Sequence, residues 1–243
     1  MSKYSKEAPE TIQSLFASIA HSYDRGNAVL SFQMHQRWNR TLVQQLAASS
    51  PKKQWLDLCC GTGEIGLTAL KACMGHPCKL TFLDFCEEML LCAKEKANTL
   101  PSQSGHSLSY LCADAQELPL ANESFNLISL AYGIRNIRSP RKCLEEAYRV
   151  LEPGGTLGIL ELTEPSHPVL KMGHRFYLRH FLPRIGRLLT SNQAAYDYLC
   201  LSIQTFIKPD ELRKILEEVG FASVTITPLS AGIATILLAK KSL

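Results

Sequence analysis

The sequence predicts an α/β protein: a doubly wound, Rossmann-like, mostly parallel sheet with an antiparallel C-terminal hairpin, a helical N-terminal cover and a helical insertion. Three observations predict it. From residue 54 to 162, short apolar runs alternate with stretches of helical periodicity, the pattern of a sheet covered by helices on both faces. A glycine-rich turn, Gly61-x-Gly63-x-x-Gly66, joins the first run to the first of those helices. Two β-rich runs, 222–228 and 232–239, follow each other with no helix between them. A chain of 243 residues accommodates this as a single domain over 1–243, with the cover at 1–50 and the insertion at 164–205.

Each element has its own signal. Ile12, Leu15, Phe16 and Ile19 recur at helical spacing, so residues 9–23 read as a helix, and a second runs over 35–48. Pro51-Lys52-Lys53 breaks the chain before the apolar run 54–60, a buried strand. A helix over 64–74 follows the glycine turn, then a strand at 79–84, a helix over 86–98, and strands at 107–112 and 125–131. Pro140 opens the next helix, which ends near Leu151 with Pro153-Gly154-Gly155 as its stop; a fifth strand spans 156–162. Residues 164–200 depart from the alternation and read as helical, and Gly220 ends a helix over 209–219.

Composition excludes several classes. Apolar residues make up 46% of the chain and charged residues 20%, enough for a core and too apolar for disorder. No run approaches the roughly 18 apolar residues of a membrane-spanning helix, and the polar start Met1–Glu7 lacks the apolar segment of a secretory leader. Nine cysteines without C-x2-C pairs suit buried thiols in a reducing, cytoplasmic compartment better than disulfides or zinc, and no histidine pair suggests a metal. A net charge of +4 is too mild to indicate nucleic acid.

The glycine turn alone suits either a nicotinamide dinucleotide or S-adenosylmethionine (SAM), and Asp84, at the end of the second strand, could hold two ribose hydroxyls of either. Two carboxylates separate the readings. Asp57 lies just before the turn, where it would repel a pyrophosphate and favour the cationic sulfonium and ammonium groups of SAM. Asp114-Ala115 follows the third strand, placed for an adenine amino group and a ring nitrogen. The plainer alternatives are a turn-stabilising role for Asp57 and a cap for Asp114. Taken together, Asp57, Gly61, Thr62, Gly63, Asp84, Asp114 and Ala115 are expected to hold SAM.

Leu56-Asp57-Leu58-Cys59-Cys60-Gly61-Thr62-Gly63 resembles motif I of the class I SAM-dependent methyltransferases. The likeness is closer to the ubiquinone/menaquinone biosynthesis C-methyltransferases, the UbiE/MenG type, and covers almost the whole chain. Tyr23-Asp24-x-x-Asn27 with Ser31-Phe32-x-x-His35-x-x-Trp38 resembles that family's N-terminal signature, and Tyr132-Gly133-Ile134-Arg135-Asn136 its most distinctive internal block. Tyr148-Arg149-Val150-Leu151-x-Pro153-Gly154-Gly155 and Leu160-Glu161-Leu162-Thr163 are similar to later blocks. Gly26, Glu64, Ala131 and Glu152 depart from the usual residues.

The resemblance implies methyl transfer from SAM to a ring carbon of a reduced, prenylated quinone precursor. Demethylmenaquinol is the expected acceptor; a benzoquinol of the ubiquinone pathway, or another phenolic or lipid acceptor, is the alternative. Such chemistry needs an aligned acceptor and a stabilised phenolate. Arg135 is expected to stabilise the phenolate or polarise a water, with Asn136 orienting it; Tyr23, Asp24, Asn27 and His35 are expected in a cover over the site. The plainer reading of Arg135 is a structural ion pair. A nicotinamide oxidoreductase and a non-catalytic SAM or lipid sensor are the rival functions. A homodimer is compatible with this reading.

The surplus charge has an address. Residues 165–190 carry five cations (Lys171, Arg175, Arg179, Arg184, Arg187) and no Asp or Glu. Lys171, Arg175 and Arg179 form one helical stripe, with Leu170, Gly173, Tyr177 and Phe181 on the other side. This is either a lid that gates a prenyl tail and touches an anionic membrane at its inner face, or an ordinary helix with a solvated basic face.

Overall fold

The computed structural model describes residues 6, 8–51, 53–73, 77–100, 105–181 and 193–243. Arg184 and Arg187 of the basic segment lie outside the described residues.

Seven strands form one sheet: β1 (Gln54–Leu58), β2 (Lys79–Asp84), β3 (Ser107–Cys112), β4 (Phe125–Ala131), β5 (Leu151–Leu162), β6 (Ser223–Leu229) and β7 (Ala234–Lys240). Their order is β3-β2-β1-β4-β5-β7-β6. Pairings from β3 through β5 are parallel, while β7 runs antiparallel to both β5 and β6. The direction in which the chain crosses the sheet reverses between β1 and β4, so a crevice opens beyond their carboxyl ends.

The helices are α1 (Pro9–Ile19), α2 (Tyr23–Leu30), α3 (Met34–Ser49), α4 (Glu64–Ala72), α5 (Glu87–Asn98), α6 (Pro140–Val150), α7 (Pro168–Phe176), α8 (Gln193–Thr205) and α9 (Pro209–Val219). Two apolar layers sandwich the sheet. One joins Leu56, Leu58 and Leu130 to Leu144 of α6 and Leu212 of α9. The other joins Trp55, Phe82 and Leu160 to Leu42 and Leu46 of α3 and Ala69 of α4. Each such fully buried leucine contributes about 1.5–3 kcal/mol by leaving water.

Three expectations are corrected. The helix expected over 9–23 is two helices: the chain turns at Ala20–Ser22, which sets Phe16, Ile19 and Ala20 against Phe85 and Met89 and starts α2 at Tyr23. Second, α3 is more than a cover. A Cβ on Gly158 of β5 would lie 2.8 Å from Leu42 and 2.9 Å from Leu46, so helix and strand meet at the closest approach a glycine permits. Third, Pro153-Gly154-Gly155 does not separate helix from strand. Strand β5 already pairs at Leu151 with Phe125, bulges through the three residues, and resumes at Thr156 opposite Leu127.

Candidate active site

The site grows from the turns that end β1 and β4, where Cys59 and Tyr132 both hold left-handed backbone (φ 56° and 57°). For a bulky residue this costs energy, and such strain gathers where backbone is shaped for a ligand. Gly61 is also left-handed, and no atom lies within 4 Å of where its Cβ would stand. A ligand can therefore approach its backbone. Gly66 serves packing instead: a Cβ there would lie 2.3 Å from the Phe82 ring, so its lack of a side chain lets α4 sit against β2.

Two adjacent cavities meet at this point. The smaller, about 90 Å3, is walled by Gly61, Asp84, Asp114, Ala115, Tyr23 and Asn136, among others. The larger, about 420 Å3, is mostly apolar, with Leu30, Trp38, Leu162, Leu170 and Tyr177 in its wall and Arg135 among its few polar groups. Its size falls within the ordinary range for small-molecule sites. Tyr23 and Tyr132 line both. Burial pushes the Tyr23 phenol above its ordinary pKa, although Arg135 pulls it down, so it is a neutral donor.

The residues expected to hold a nucleoside divide into two groups. Asp84, Asp114, Ala115 and Gly61 face the smaller cavity. The Asp84 carboxylate accepts from Gly61 N–H at 2.8 Å and Cys86 N–H at 3.0 Å, which fixes the turn and leaves lone pairs toward the cavity. Burial raises its pKa to about 6. Asp114 accepts from Gln116 N–H at 2.9 Å, so the capping role and the cavity position coexist.

Asp57, Thr62 and Gly63 are not among the residues that line that wall. Asp57 accepts from Gly66 N–H at 2.9 Å and from the Ser129 hydroxyl at 2.7 Å, and burial raises its pKa to about 7. It anchors the N-terminus of α4 to the sheet. Thr62 donates to Asp24 at 2.5 Å, and Lys96 pairs with the same carboxylate. Asp24 of α2 is thus a latch between the cover and the glycine turn. Gly63, left-handed at φ 82°, has no room for a Cβ beside Ala93.

Arg135 follows β4 in a single helical turn, Ile134–Asn136. Its Nη1 donates to Glu161 Oε1 at 2.5 Å and to the Tyr132 carbonyl at 2.6 Å. Burial opposes its charge, but Glu161 together with Tyr23 and Tyr198 outweighs this and holds it a cation. Among the described residues, its Nε–H is buried without an acceptor. Arg135 is ion-paired, as its plainer reading expects, and it also lines the larger cavity. Asn136 does not orient it directly. Asn136 donates to the same Tyr132 carbonyl at 3.3 Å and accepts from the Tyr198 hydroxyl at 3.0 Å.

Glu161 is a site residue that spacing does not single out, although an acid inside the run Leu157–Leu162 is itself a signal of a buried partner. A polar chain is equally hidden in the sequence. The Tyr132 hydroxyl donates to Asn39, Asn39 donates to Glu64, and His35 Nε2 lies 3.6 Å from Glu64. This chain ties α3 and α4 to the strained turn after β4. Among the described residues no cluster of His, Cys, Asp or Glu could hold a metal ion.

Comparison with known proteins gives a consistent picture. Residues 3–241 match the model of the ubiE/COQ5 methyltransferase family. The chain is 47% identical over 237 residues to the demethylmenaquinone methyltransferase of Protochlamydia amoebophila (strain UWE25), covering 98% of this chain and 97% of that protein. It is 36% identical to the ubiquinone/menaquinone biosynthesis C-methyltransferase UbiE of Rickettsia bellii (strain OSU 85-389), covering 95% of this chain and 92% of that one. Among solved structures, a SAM-dependent methyltransferase from Aquifex aeolicus superposes with a TM-score of 0.57 at 20% identity, over 81% of this chain and 87% of its own. Phosphoethanolamine N-methyltransferase 2 of Haemonchus contortus superposes at 0.61 with 14% identity, over 85% of this chain and 53% of that chain. These structures share the fold of the chain described here.

Proposed function

The chain belongs to the ubiE/COQ5 methyltransferase family, and we infer that it transfers the methyl group of SAM to a ring carbon of a reduced, prenylated quinone precursor, demethylmenaquinol. One observation carries the assignment of chemistry to residues. A buried cation, Arg135, with an unspent N–H, lines an apolar cavity that shares Tyr23 and Tyr132 with the cavity of Asp84 and Asp114.

The residues that line the smaller cavity carry the groups that SAM needs. Asp84 supplies a carboxylate for ribose hydroxyls, Asp114 and the Ala115 backbone address the adenine, and open Gly61 admits the ligand to the backbone. When bound, SAM supplies an electrophilic methyl on a cationic sulfur. The remaining work falls to the protein. The larger cavity aligns a quinol ring with its tail along the apolar wall, which converts a bimolecular encounter into an oriented one. The Arg135 cation stabilises the phenolate as a quinol hydroxyl loses its proton, and that oxygen pushes electron density to the ring carbon. The new carbon–carbon bond forms as the carbon–sulfur bond breaks. Loss of the ring proton then restores aromaticity and the quinol oxygen regains its proton, so the net release is one proton. Arginine does not itself take that proton; its role is charge stabilisation, with Tyr23 as a neutral donor beside it.

Demethylmenaquinol is the preferred acceptor because the chlamydial relatives of similar length, including that of Chlamydia felis at 39% identity, carry that activity in their names. A benzoquinol is the second reading, since the Rickettsia bellii relative is named for both pathways. A labelled-methyl assay on both reduced precursors separates them: the naphthoquinol is expected to turn over faster. No described helix is long and apolar enough to cross a membrane; the reading places the protein as a peripheral visitor to its greasy substrate. Self-association as a homodimer belongs to the same reading and is tested by light scattering.

A further inference from the structure

We propose that the mouth of the larger cavity is a bilayer-docking face that inserts apolar side chains of α7 and the α2–α3 turn into the lipid interface, with charge playing a minor part. The proposal rests on the quinol reading of that cavity.

Of the ten large apolar side chains exposed among the described residues, seven lie on α2, α7 or the turns that follow them. Scattered exposed apolar residues need no explanation, but a concentration around one opening does. No residue of α7 is buried. Met172 is 70% exposed, Val169 64% and Phe176 56%, and they recur at the spacing of one helical stripe. The neighbouring stripe, Leu170, Gly173 and Tyr177, lines the cavity. Val169 both lines the cavity and is exposed, so apolar side chains run from the cavity wall to the outer face of α7.

A second segment extends it. Phe32 is 70% exposed and sits at φ 48°, a conformation unfavourable for a bulky residue. Its ring meets Tyr177 at 6.3 Å, Tyr177 stacks on Phe181 at 6.3 Å, and Phe181 meets Phe176 at 5.9 Å. The Tyr177 hydroxyl donates to the Leu30 carbonyl at 2.9 Å, which fixes the two segments together. The result is one aromatic rim at the cavity mouth.

In this proposal the basic stripe is the minor source of adhesion. Lys171 lies 2.8 Å from Glu164 and Arg175 donates to it at 2.7 and 3.0 Å, so two of the three cations on this stripe have a counter-charge within the protein. These pairs occupy a different stripe of α7 from Val169, Met172 and Phe176. An amphipathic helix with an exposed apolar face and partly offset charge binds a lipid interface mainly by insertion. A bilayer also matches the cavity's occupant, since a prenyl tail leaving this mouth would pass directly into acyl chains.

The test is co-sedimentation of the full chain with vesicles of neutral phosphatidylcholine, alone or mixed with anionic phosphatidylglycerol, at low and high salt. Light scattering and methylation of a short-tailed, water-soluble quinol are measured alongside. Met172 and Phe176 do not line either cavity, so the double variant M172D/F176D should keep its thermal midpoint and its activity on the short-tailed quinol. The wild type should bind neutral vesicles and hold them at high salt, and the variant should partition at least about tenfold less. Binding only to anionic vesicles and lost in salt, or equal binding by the variant, overturns the proposal. So does a dimer that the variant dissociates without changing vesicle binding. Failure of the quinol reading looks different: vesicle binding persists and the soluble quinol is not methylated.

Discussion

Arg135 Nη1 lies 2.5 Å from Glu161 Oε1, with the two side chains only 5% and 1% exposed, at the floor of an apolar cavity. A buried cation in such a place is tolerable only with its partner. Glu161 therefore positions Arg135, the group proposed to stabilise the phenolate. Glu161→Gln should lower stability by about 3–5 kcal/mol, because the guanidinium is left without a counter-charge. Denaturant unfolding measures this; an unchanged midpoint would mean that Arg135 is held by something other than Glu161.

Arg135→Lys keeps the charge but replaces the planar guanidinium, whose Nη1 donates to both Glu161 and the Tyr132 carbonyl, with a compact ammonium. Turnover should fall by about 10²-fold, the scale of losing one oriented donor, while SAM affinity stays within a few-fold. Titration calorimetry and steady-state kinetics separate the two effects. Full activity in a folded Arg135→Ala protein would remove this residue from the mechanism.

Asp84 has two duties: it fixes Gly61 and faces the smaller cavity. Asp84→Asn keeps one of the two acceptors that Gly61 and Cys86 use and loses the charge that would strengthen ribose hydrogen bonds. SAM binding should weaken by about 10- to 100-fold, in line with about 1.5–3 kcal/mol for a charged hydrogen bond. Calorimetric titration of the folded variant with SAM reads this directly.

The carboxyl group of Asp57 makes stability depend on pH in an unusual sense. Its pKa is raised from 3.8 to about 7 in the folded protein, mainly by burial, and two hydrogen bonds only partly offset this. Between those values the folded state binds more protons than the unfolded one, so stability from this group is greatest at low pH and falls as pH rises toward 7. Asp57→Asn should flatten that slope, compared by urea midpoints at several pH values between roughly 4 and 7. An identical slope in the variant would show that Asp57 is ionised throughout.

Asp24→Ala should loosen the cover. Without the acceptor for Thr62 and Lys96, hydrogen exchange should quicken in α1 and α2, and stability should drop by about 1 kcal/mol. Unchanged exchange over these helices would show that apolar contacts alone, such as Phe16 on Phe85, close the site.

Strands β2, β3 and β4 fall where the apolar runs end, because polar or glycine-rich turns punctuate both sides of each. The break between α1 and α2 is not legible in the sequence: helical spacing continues through Ala20, and only packing on Phe85 and Met89 turns the chain. For Asp57, the sequence shows its place before the glycine turn but not the direction of its carboxylate, which points to Gly66 and Ser129. The basic stripe reads as unpaired because Glu164, which pairs with Lys171 and Arg175, stands one residue before the acid-free segment begins. Tyr132 belongs to a recognisable motif, yet its position between two cavities depends on a left-handed backbone that no spacing reveals.

The most direct measurement follows a 13C-labelled methyl from SAM into reduced demethylnaphthoquinone presented in lipid, with the product's attachment site read by NMR. The account predicts the label on a ring carbon of the naphthoquinol, dependent on Arg135. Label on a quinol oxygen, or no label in either the naphthoquinol or the benzoquinol, would contradict it.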